Sequence, residues 1–464
     1  MKRFDSEDTI VALSTPYGKG AIAVVRMSGS QSLSLVNRLF SRQLKKQDHR
    51  RAVPGEIWTA SRRQMLDECV TTFFQGPQSY TGEDLVEISC HGNPVIIDQI
   101  IQELIQLGAR VAQPGEFTQR AFLNHKMDLS QAEAVAAVIE AKTRRGLACS
   151  LRQLEGGISQ TIGSIRDELI QLASLLEINL DFNEDDIQVY EKKAVETRAL
   201  NLLEQIDHLL HTYDYGRLYQ EGVKLLLLGK PNVGKSSLLN MLAQKDRALV
   251  SDVPGTTRDY IEEFIQIEGF PIQIVDTAGI RETLDMIEDM GVKRALTHIE
   301  SSDLVLAIFE SHRQLDRDDC RFIEYLKSNV KGKVPFIVVL NKQDLGRDAG
   351  VLEHLHGLET LLVEVSAKTG ANLPELKDRI KQTLLGDSAA EQEEIVITNA
   401  RHKEALDLSR KALQKFVTGI QSGVDEVILA SELRSALDYL GEIVGEISSE
   451  DLLNHIFGQF CIGK

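Results

Sequence analysis

The segment from Gly229 to Ser236 constrains the fold of this chain more than any other part of the sequence. It reads Gly-Lys-Pro-Asn-Val-Gly-Lys-Ser and directly follows an apolar run, Val223–Leu228. Its glycines let the backbone turn N–H groups toward phosphate oxygens, and the helix that follows presents its N-terminus to the same anion. The pattern therefore predicts a phosphate-binding loop in an α/β unit that binds a nucleoside triphosphate.

Individual residues of this loop have separate roles. Lys235 supplies a positive charge to the β- and γ-phosphates, and Ser236 offers a hydroxyl to Mg²⁺. We accordingly predict Lys235 as a catalytic residue and Ser236 as a magnesium ligand. The loop residues predicted to bind the nucleotide are Asn232, Val233, Gly234, Lys235, Ser236 and Ser237.

The base of the nucleotide is indicated further along the chain by the motif Asn341-Lys-Gln-Asp344. The carboxylate of Asp344 can accept hydrogen bonds from the N1–H and 2-amino groups of guanine, a donor pair that adenine lacks. A buried carboxylate left unpaired would disfavour ATP. We therefore predict GTP as the substrate. The predicted base contacts are Asn341, Lys342, Asp344, Ser366, Ala367 and Lys368.

Two segments between these motifs are expected to respond to the γ-phosphate. Asp276 follows an apolar strand, as the magnesium-side carboxylate does in phosphate-loop NTPases, and Thr256 or Thr257 should close on Mg²⁺. The GTP-binding residues predicted here are Ser251, Asp252, Val253, Pro254, Gly255, Thr256, Thr257, Asp276, Thr277, Ala278 and Gly279.

The residue after this second segment is Ile280, at a position where small Ras-like GTPases place a water-orienting glutamine. Because isoleucine cannot orient water, hydrolysis requires another polar group, a cation or a partner. Glu288 is a candidate for this polar group. Its spacing alone, however, is more typical of a solvent-exposed acid on a helix.

Composition limits the class of protein. The chain has 464 residues, 42% apolar and 26% charged, which is typical of a soluble globular protein. It has no apolar run of membrane-spanning length, no signal core at its start and no paired cysteine spacing, so we expect a cytoplasmic protein with no membrane association. The net charge of −17 argues against broad binding to nucleic acid, so contact with RNA would require a local basic patch or a basic partner.

Hydrophobic periodicity divides the chain into regions. The first reads as α+β, with strands predicted at 9–13, 21–27, 70–74 and 85–90 and a helix over 95–107. In the helical region that follows, Ser130 and Glu133 are interpreted as a capping box for a helix over 134–141. Residues 221–384 alternate strands with helices, as in a mostly parallel sheet, and 398–457 return to helix. A helical domain interrupted by a nucleotide domain is the economical interpretation, and two independent helical domains are the alternative.

These motifs and four further segments resemble the tRNA-modification GTPase family called MnmE or TrmE over essentially the whole chain. The further segments are Ser79–Asp84, Pro114–Phe117, Arg120–Asn124 and Phe460–Lys464. The resemblance implies a multidomain α/β protein with an N-terminal α+β folate-binding domain, a split all-helical domain and an inserted Ras-like P-loop G domain. The implied boundaries are 1–120 for the N-terminal domain, 121–220 and 385–464 for the helical parts, and 221–384 for the G domain.

The resemblance also implies a reaction and partners. Such proteins hydrolyse GTP and, with an FAD-containing partner called MnmG (GidA), add an aminomethyl or carboxymethylaminomethyl group to C5 of the wobble uridine of certain tRNAs. A tetrahydrofolate derivative supplies the one-carbon unit, with 5-formyltetrahydrofolate as the bound form. The resemblance implies a homodimer through the N-terminal domain and a heterotetramer or larger complex with MnmG. The acidity of this chain fits an arrangement in which the partner makes most of the tRNA contact.

The family's motifs, matched residue by residue, imply further roles. A potassium ion at the phosphates would neutralise charge as an arginine finger does. Thr257 matches a magnesium ligand, and Glu288 matches the residue that activates water. The implied potassium ligands are Asn232, Ser251, Val253 and Thr256, and the implied folate-binding residues are Arg26, Glu87, Lys126 and Lys464. Two G domains are expected to meet face to face, with the nucleotide state relayed through the helices.

A second hypothesis of another class stays open, namely a GTP-switched RNA-binding or ribosome-assembly factor without folate chemistry. Such a factor would be expected to carry a basic RNA-binding domain, which the first 120 residues do not show.

The sequence also allows an interpretation of two single residues. Cys461 is either a nucleophile or a small buried core residue, and His91 is expected to be structural, at the end of a strand.

Overall fold

The computed structural model describes residues 8–182, 192–243, 264–267, 269–275, 298–385 and 395–463. Several predicted site residues lie outside these described ranges. They are Ser251–Thr257, Asp276–Gly279, Glu288 and Lys464. In the described part of the chain, no helix combines the length and the apolar character that crossing a membrane requires.

The N-terminal region forms a six-stranded sheet in the order β3-β4-β5-β2-β1-β6, in which only the β1–β6 pair is parallel. The strands are β1 (Ile10–Leu13), β2 (Gly20–Ser28), β3 (Ala52–Trp58), β4 (Met65–Phe74), β5 (Leu85–Gly92) and β6 (Arg110–Val111). Helices α1 (Ser32–Leu39) and α2 (Pro94–Gln106) bury their apolar side chains against one face of this sheet.

The four strands and the helix predicted in this region are confirmed, with ends shifted by up to five residues. Strand β3 and helix α1 were not predicted. Strand β3 contains Pro54 and Gly55, which interrupt a strand pattern and are tolerated here because β3 is an edge strand.

The helical region begins with α3 (Glu116–Leu123), α4 (Leu129–Glu140), α5 (Arg144–Leu154), α6 (Gly157–Phe182) and α7 (Lys192–Gln220). The predicted capping box at Ser130 and Glu133 is wrong. Helix α4 begins earlier, at Leu129, and its N-cap is Asp128, whose carboxylate accepts a hydrogen bond from the N–H of Gln131. The Gln131 side chain accepts from the Asp128 N–H in return, so aspartate took the capping position that serine was expected to fill.

The second sheet has the order β12-β11-β10-β7-β9-β8, and only β8 is antiparallel to its neighbour. The strands are β7 (Val223–Leu228), β8 (Phe264–Ile267), β9 (Phe270–Val275), β10 (Leu304–Glu310), β11 (Phe336–Asn341) and β12 (Leu362–Glu364). The described helices around it are α8 (Lys235–Ala243), α9 (Arg317–Asn329), α10 (Ala349–Leu355) and α11 (Leu373–Leu385). The carboxyl ends of β7, β10 and β11 meet at one edge, where ligands of such sheets bind.

The chain ends in α12 (Ala400–Ser422), α13 (Glu426–Val444) and α14 (Glu450–Gly458). Helices α6, α7, α12 and α13 share one hydrophobic core, so helices from both sides of the nucleotide sheet pack together. This packing is what an interrupted helical domain requires. We propose that the domain boundaries lie near residues 120, 220 and 384.

A buried ion cluster joins the two helical parts. Glu133 of α4 accepts two hydrogen bonds from the Arg401 guanidinium, at 2.8 and 2.9 Å, and lies 2.7 Å from Nε2 of the fully buried His402. Burial alone would raise the pKa of Glu133, but the charge and hydrogen bond of His402, followed by those of Arg401, lower it to about 2.

We expect Glu133→Ala to destabilise the helical region by roughly 3–5 kcal/mol, because it removes the acceptor that the Arg401 guanidinium and the buried His402 share. Since the folded-state pKa is depressed, this stabilisation is present above the carboxyl's ordinary pKa of 4.5 and is lost as the pH falls from there toward about 2. Urea unfolding at pH 7 and near pH 3 measures both effects. The exposed Glu140→Ala on the same helix is the control and should unfold like the wild type.

Candidate nucleotide-binding site

The phosphate loop connects β7 to α8 through three residues with positive φ. The φ angles are 155° at Gly229, 65° at Asn232 and 97° at Gly234. A Cβ atom at Gly234 would collide with the Asn341 amide, and one at Gly229 would lie 2.6 Å from the Ile308 carbonyl oxygen. The two glycines are therefore required by backbone angle and by space, as the sequence predicted.

Cationic and hydroxyl groups converge on this loop. The Lys235 ammonium donates to the carbonyl oxygens of Gly229 at 2.5 Å and of Lys230 at 2.8 Å, so it lies over the loop itself. Ser236 and Ser237 are exposed in the first turn of α8. A positive side chain and free hydroxyls at a helix N-terminus fit phosphate and Mg²⁺. The exposed Asn232 offers an oxygen that fits K⁺.

Asn341 holds the phosphate loop against the base motif. Its amide donates to the carbonyl oxygen of Val233 at 2.8 Å, and its carbonyl accepts from the N–H of Ala367 at 2.9 Å. Asn341 is 1% exposed, so these bonds fix three separate segments at one edge of the sheet. Both polar groups of the Asn341 side chain thus bond to the protein itself, a supporting role that the sequence motif alone did not indicate, and its contact with the nucleotide stays a prediction.

Asp344 presents an ionised acceptor at the surface. The Ser366 hydroxyl donates to its Oδ1 at 2.7 Å, and this bond lowers the pKa of Asp344. Lys342, with φ at 66°, turns its ammonium back to Glu310. Ser366 thereby orients the carboxylate that was predicted to read guanine, and Lys368 is exposed beside it.

An aromatic contact links this sheet to the helices, and it was not predicted. Tyr219 in the last turn of α7 stacks on Phe270 of β9, with ring centroids 4.5 Å apart and planes 6° from parallel. The Arg145 guanidinium of α5 lies 4.7 Å from the Tyr219 ring centroid. Both rings are almost fully buried, so the end of α7 belongs to the core of the nucleotide sheet. Neither motif nor periodicity marks such a contact between distant residues.

Two of the residues assigned to folate are brought together. Arg26 and Glu87 are opposite each other in β2 and β5, and Arg26 donates to Glu87 Oε1 from Nε at 3.0 Å and from a terminal nitrogen at 2.8 Å. The guanidinium lies 5.3 Å from the ring centroid of Tyr80 and 5.8 Å from that of Phe117. A cation, a carboxylate and two aromatic rings fit a flat, polar heterocycle with an anionic tail. Lys126 makes a different contact and donates to the carbonyl oxygen of Pro77 at 2.9 Å.

The last described residues, Ile462 and Gly463, lie against the N-terminal region. Ile462 forms an isolated bridge with Pro114, and the Ser14 hydroxyl donates to the Gly463 carbonyl oxygen at 3.0 Å. Cys461 is exposed, so the interpretation of a buried core residue is wrong.

The structural role predicted for His91 is confirmed. Its Nδ1 lies 2.7 Å from the buried carboxylate of Asp67, and its backbone N–H donates to the same side chain. The carboxylate raises the pKa of His91 and ties the end of β5 to β4.

Comparisons with known proteins agree with this architecture. A family model described as "GTP-binding protein TrmE N-terminus" matches residues 9–126, and one described as "MnmE helical domain" matches 129–461. Proteins named "tRNA modification GTPase MnmE" are similar over almost their full length. The one from Natranaerobius thermophilus is 40% identical over 99% of this chain and all of its own, and that from Aquifex aeolicus is 42% identical over 98% of this chain and all of its own. The Cytophaga hutchinsonii protein is 41% identical over 98% of each chain. This chain therefore belongs to the MnmE (TrmE) family.

Proposed function

We propose that this chain is a GTPase that acts in tRNA modification. One observation carries the proposal. Hydrogen bonds hold the phosphate loop, Asn341 and the Asp344–Ser366 pair together in one site at the edge of the second sheet. In finer terms, it works as a cytoplasmic homodimer with the FAD-containing MnmG and modifies C5 of the wobble uridine using a tetrahydrofolate one-carbon unit. Family membership supports this part.

Mass analysis of wobble uridines in tRNA from cells lacking this protein tests the proposal. We expect the C5 substituent to be lost, to return with the wild-type chain and to stay absent with Lys235→Ala. Unchanged modification in the deletion strain would favour the ribosome-assembly hypothesis instead.

The folate part of the proposal rests on the Arg26–Glu87 pair and its aromatic neighbours, with Lys126 and Lys464 as further contacts. We expect the purified chain to bind 5-formyltetrahydrofolate and Arg26→Ala to lose most of that affinity. Arg110→Ala is a control within the same domain, because its guanidinium pairs with Glu116 and Asp8 and not with Glu87. Equal affinity in the Arg26 variant would remove this assignment.

The potassium part of the proposal concerns Asn232. Bound at the phosphates, K⁺ would neutralise the charge that develops there, as an arginine finger does in other GTPases. We expect GTP turnover to be fast in KCl and slow in NaCl, and Asn232→Ala to turn over slowly in both salts. Steady-state phosphate release at equal ionic strength measures this. Equal wild-type rates in the two salts, or a normal potassium response in the variant, would exclude the site.

We propose that the Tyr219–Phe270–Arg145 stack relays the nucleotide state to the helices. Strand β9 leads directly into the segment predicted to sense the γ-phosphate, and its first residue, Phe270, is packed on α7. A shift of this strand would therefore move Tyr219 and, through Arg145, α5. Coupling of this kind requires a contact that differs between the two nucleotide states.

Hydrogen exchange of the α5 amides, compared between GDP and a non-hydrolysable GTP analogue, tests the relay. We expect the wild type to show a nucleotide-dependent difference and Tyr219→Leu to lose it while retaining nucleotide affinity. Tyr213→Leu is the matched control, since Tyr213 lies on the same helix but in the helical core. Loss of the difference in both variants would show general loosening of α7 and would contradict a specific relay.

A further inference from the structure

One segment of the N-terminal domain is strongly basic, although the domain as a whole is not. Residues 38–63 contain eight Lys and Arg against two Asp and Glu, whereas the whole chain has 52 against 69. We call these eight side chains the basic band, and all are exposed. The band consists of Arg38, Arg42, Lys45, Lys46, Arg50, Arg51, Arg62 and Arg63.

The fold gathers these residues around strand β3. Arg62, in the β3–β4 turn, donates to the carbonyl oxygens of Leu39 at 3.1 Å and Phe40 at 2.8 Å, which places the turn beside the end of α1. Phe40 forms a bridge with Ile57 near the end of β3, and Arg51 directly precedes the first residue of the same strand, Ala52. A seven-residue strand is about 23 Å long, and members of the band lie near both of its ends.

Protection of an edge strand does not explain this charge. Lysines on a free edge can prevent other strands from pairing with it. Here the backbone already covers part of that edge, because the N–H of Ser41 donates to the Glu56 carbonyl oxygen and the Ser41 hydroxyl accepts from the Glu56 N–H, both at 2.8 Å. Among the described residues, moreover, no carboxylate lies within ion-pair distance of any member of the band.

We infer that the basic band binds the sugar–phosphate backbone of tRNA. Clustered and unpaired cations on one edge of an acidic protein are the electrostatic signature of nucleic-acid binding. The rest of the surface, with its excess of acids, repels the same polyanion and so directs it to this edge. The inference rests on the proposed function and places part of the tRNA contact on this chain as well as on its partner.

Two triple variants of the full-length chain separate local charge from net charge. The test variant is Arg42→Gln, Lys45→Gln, Lys46→Gln. The control is Lys192→Gln, Lys193→Gln, Arg198→Gln, which removes one exposed arginine and two adjacent exposed lysines from the start of α7. Fluorescence anisotropy with an unmodified tRNA transcript, over a range of KCl concentrations, gives the affinity and its salt dependence.

For the test variant we expect tRNA affinity at low salt to fall roughly tenfold or more. The slope of log K against log salt should also become shallower by about 2, because each lost phosphate contact reduces that slope by about 0.7–0.9. The control should bind like the wild type. Equal affinity of the two variants, or no measurable tRNA binding by the wild type, would overturn the inference. So would a test variant that keeps tRNA affinity but no longer binds the FAD-containing protein, because the band would then be a protein interface.

The wobble-uridine assay in cells keeps this inference separate from the proposed function. If the test variant binds tRNA normally while the deletion strain lacks the modification, the inference fails and the proposed function stands. If the test variant loses tRNA binding while the deletion strain keeps the modification, the band binds RNA but the proposed function fails.

Discussion

Asp344→Asn is expected to abolish tight GTP binding and to make xanthine the preferred base. The carboxylate accepts from both the N1–H and the 2-amino group of guanine, whereas the asparagine amide would place a donor against that amino group. Xanthine carries an oxygen at the same position and can accept from the amide. Sites built to hydrogen-bond a polar group discriminate by about 10⁴–10⁵ against analogues that leave the bonds unmade.

Equilibrium binding of fluorescent GDP and XDP measures this change. The exposed Asp378→Asn on α11 makes the same chemical change away from the site and should leave guanine preference intact. Ser366→Ala should show a weaker loss of GDP affinity, because Asp344 keeps its charge but loses the hydroxyl that orients it. An Asp344→Asn variant that still prefers GDP would show that the base is recognised elsewhere.

Sequence motifs predicted the part of the nucleotide site that is formed by one short segment of backbone. The loop from Gly229 to Lys235 was predictable because glycine positions, the preceding strand and the following helix lie within one short segment. Contacts between remote segments were not predictable in this way. The bonds from Asn341 to Val233 and Ala367, and the opposition of Arg26 and Glu87, depend on strand order and register, which periodicity does not encode.

Two further features, the basic band and the Tyr219–Phe270 stack, could not be recognised from the sequence. The first 120 residues show no basic domain as a whole, since acids elsewhere in this region offset the basic band in charge. The band becomes visible only when strand β3 places its flanking segments on one edge. Strand β3 was itself missed, because Pro54 and Gly55 remove the signal by which a strand is recognised. Tyr219 and Phe270 lie in ordinary apolar patterns, and only their 4.5 Å stacking distinguishes them.

Glu288→Ala is expected to retain GTP affinity and to lower turnover by about 10²–10⁴, the usual contribution of a general base. Glu288 lies outside the described residues, so the prediction rests on Ile280 at the water-orienting position and on the family match. Single-turnover hydrolysis with saturating enzyme separates chemistry from binding. Asp289→Ala removes the adjacent acid and should hydrolyse GTP at the wild-type rate.

Glu288→Gln then distinguishes the two ways in which the carboxylate could act. A glutamine can still hold a water molecule by hydrogen bonding, but it cannot accept a proton from it. A slow Glu288→Gln variant would identify proton transfer as the contribution, and a rate near wild type would identify orientation of water. Loss of GTP affinity in Glu288→Ala would contradict both, because it would make the residue part of the binding site or of its fold. A potassium response that persists in the slow variants would show that charge neutralisation at the phosphates and activation of water are separate contributions to the same reaction.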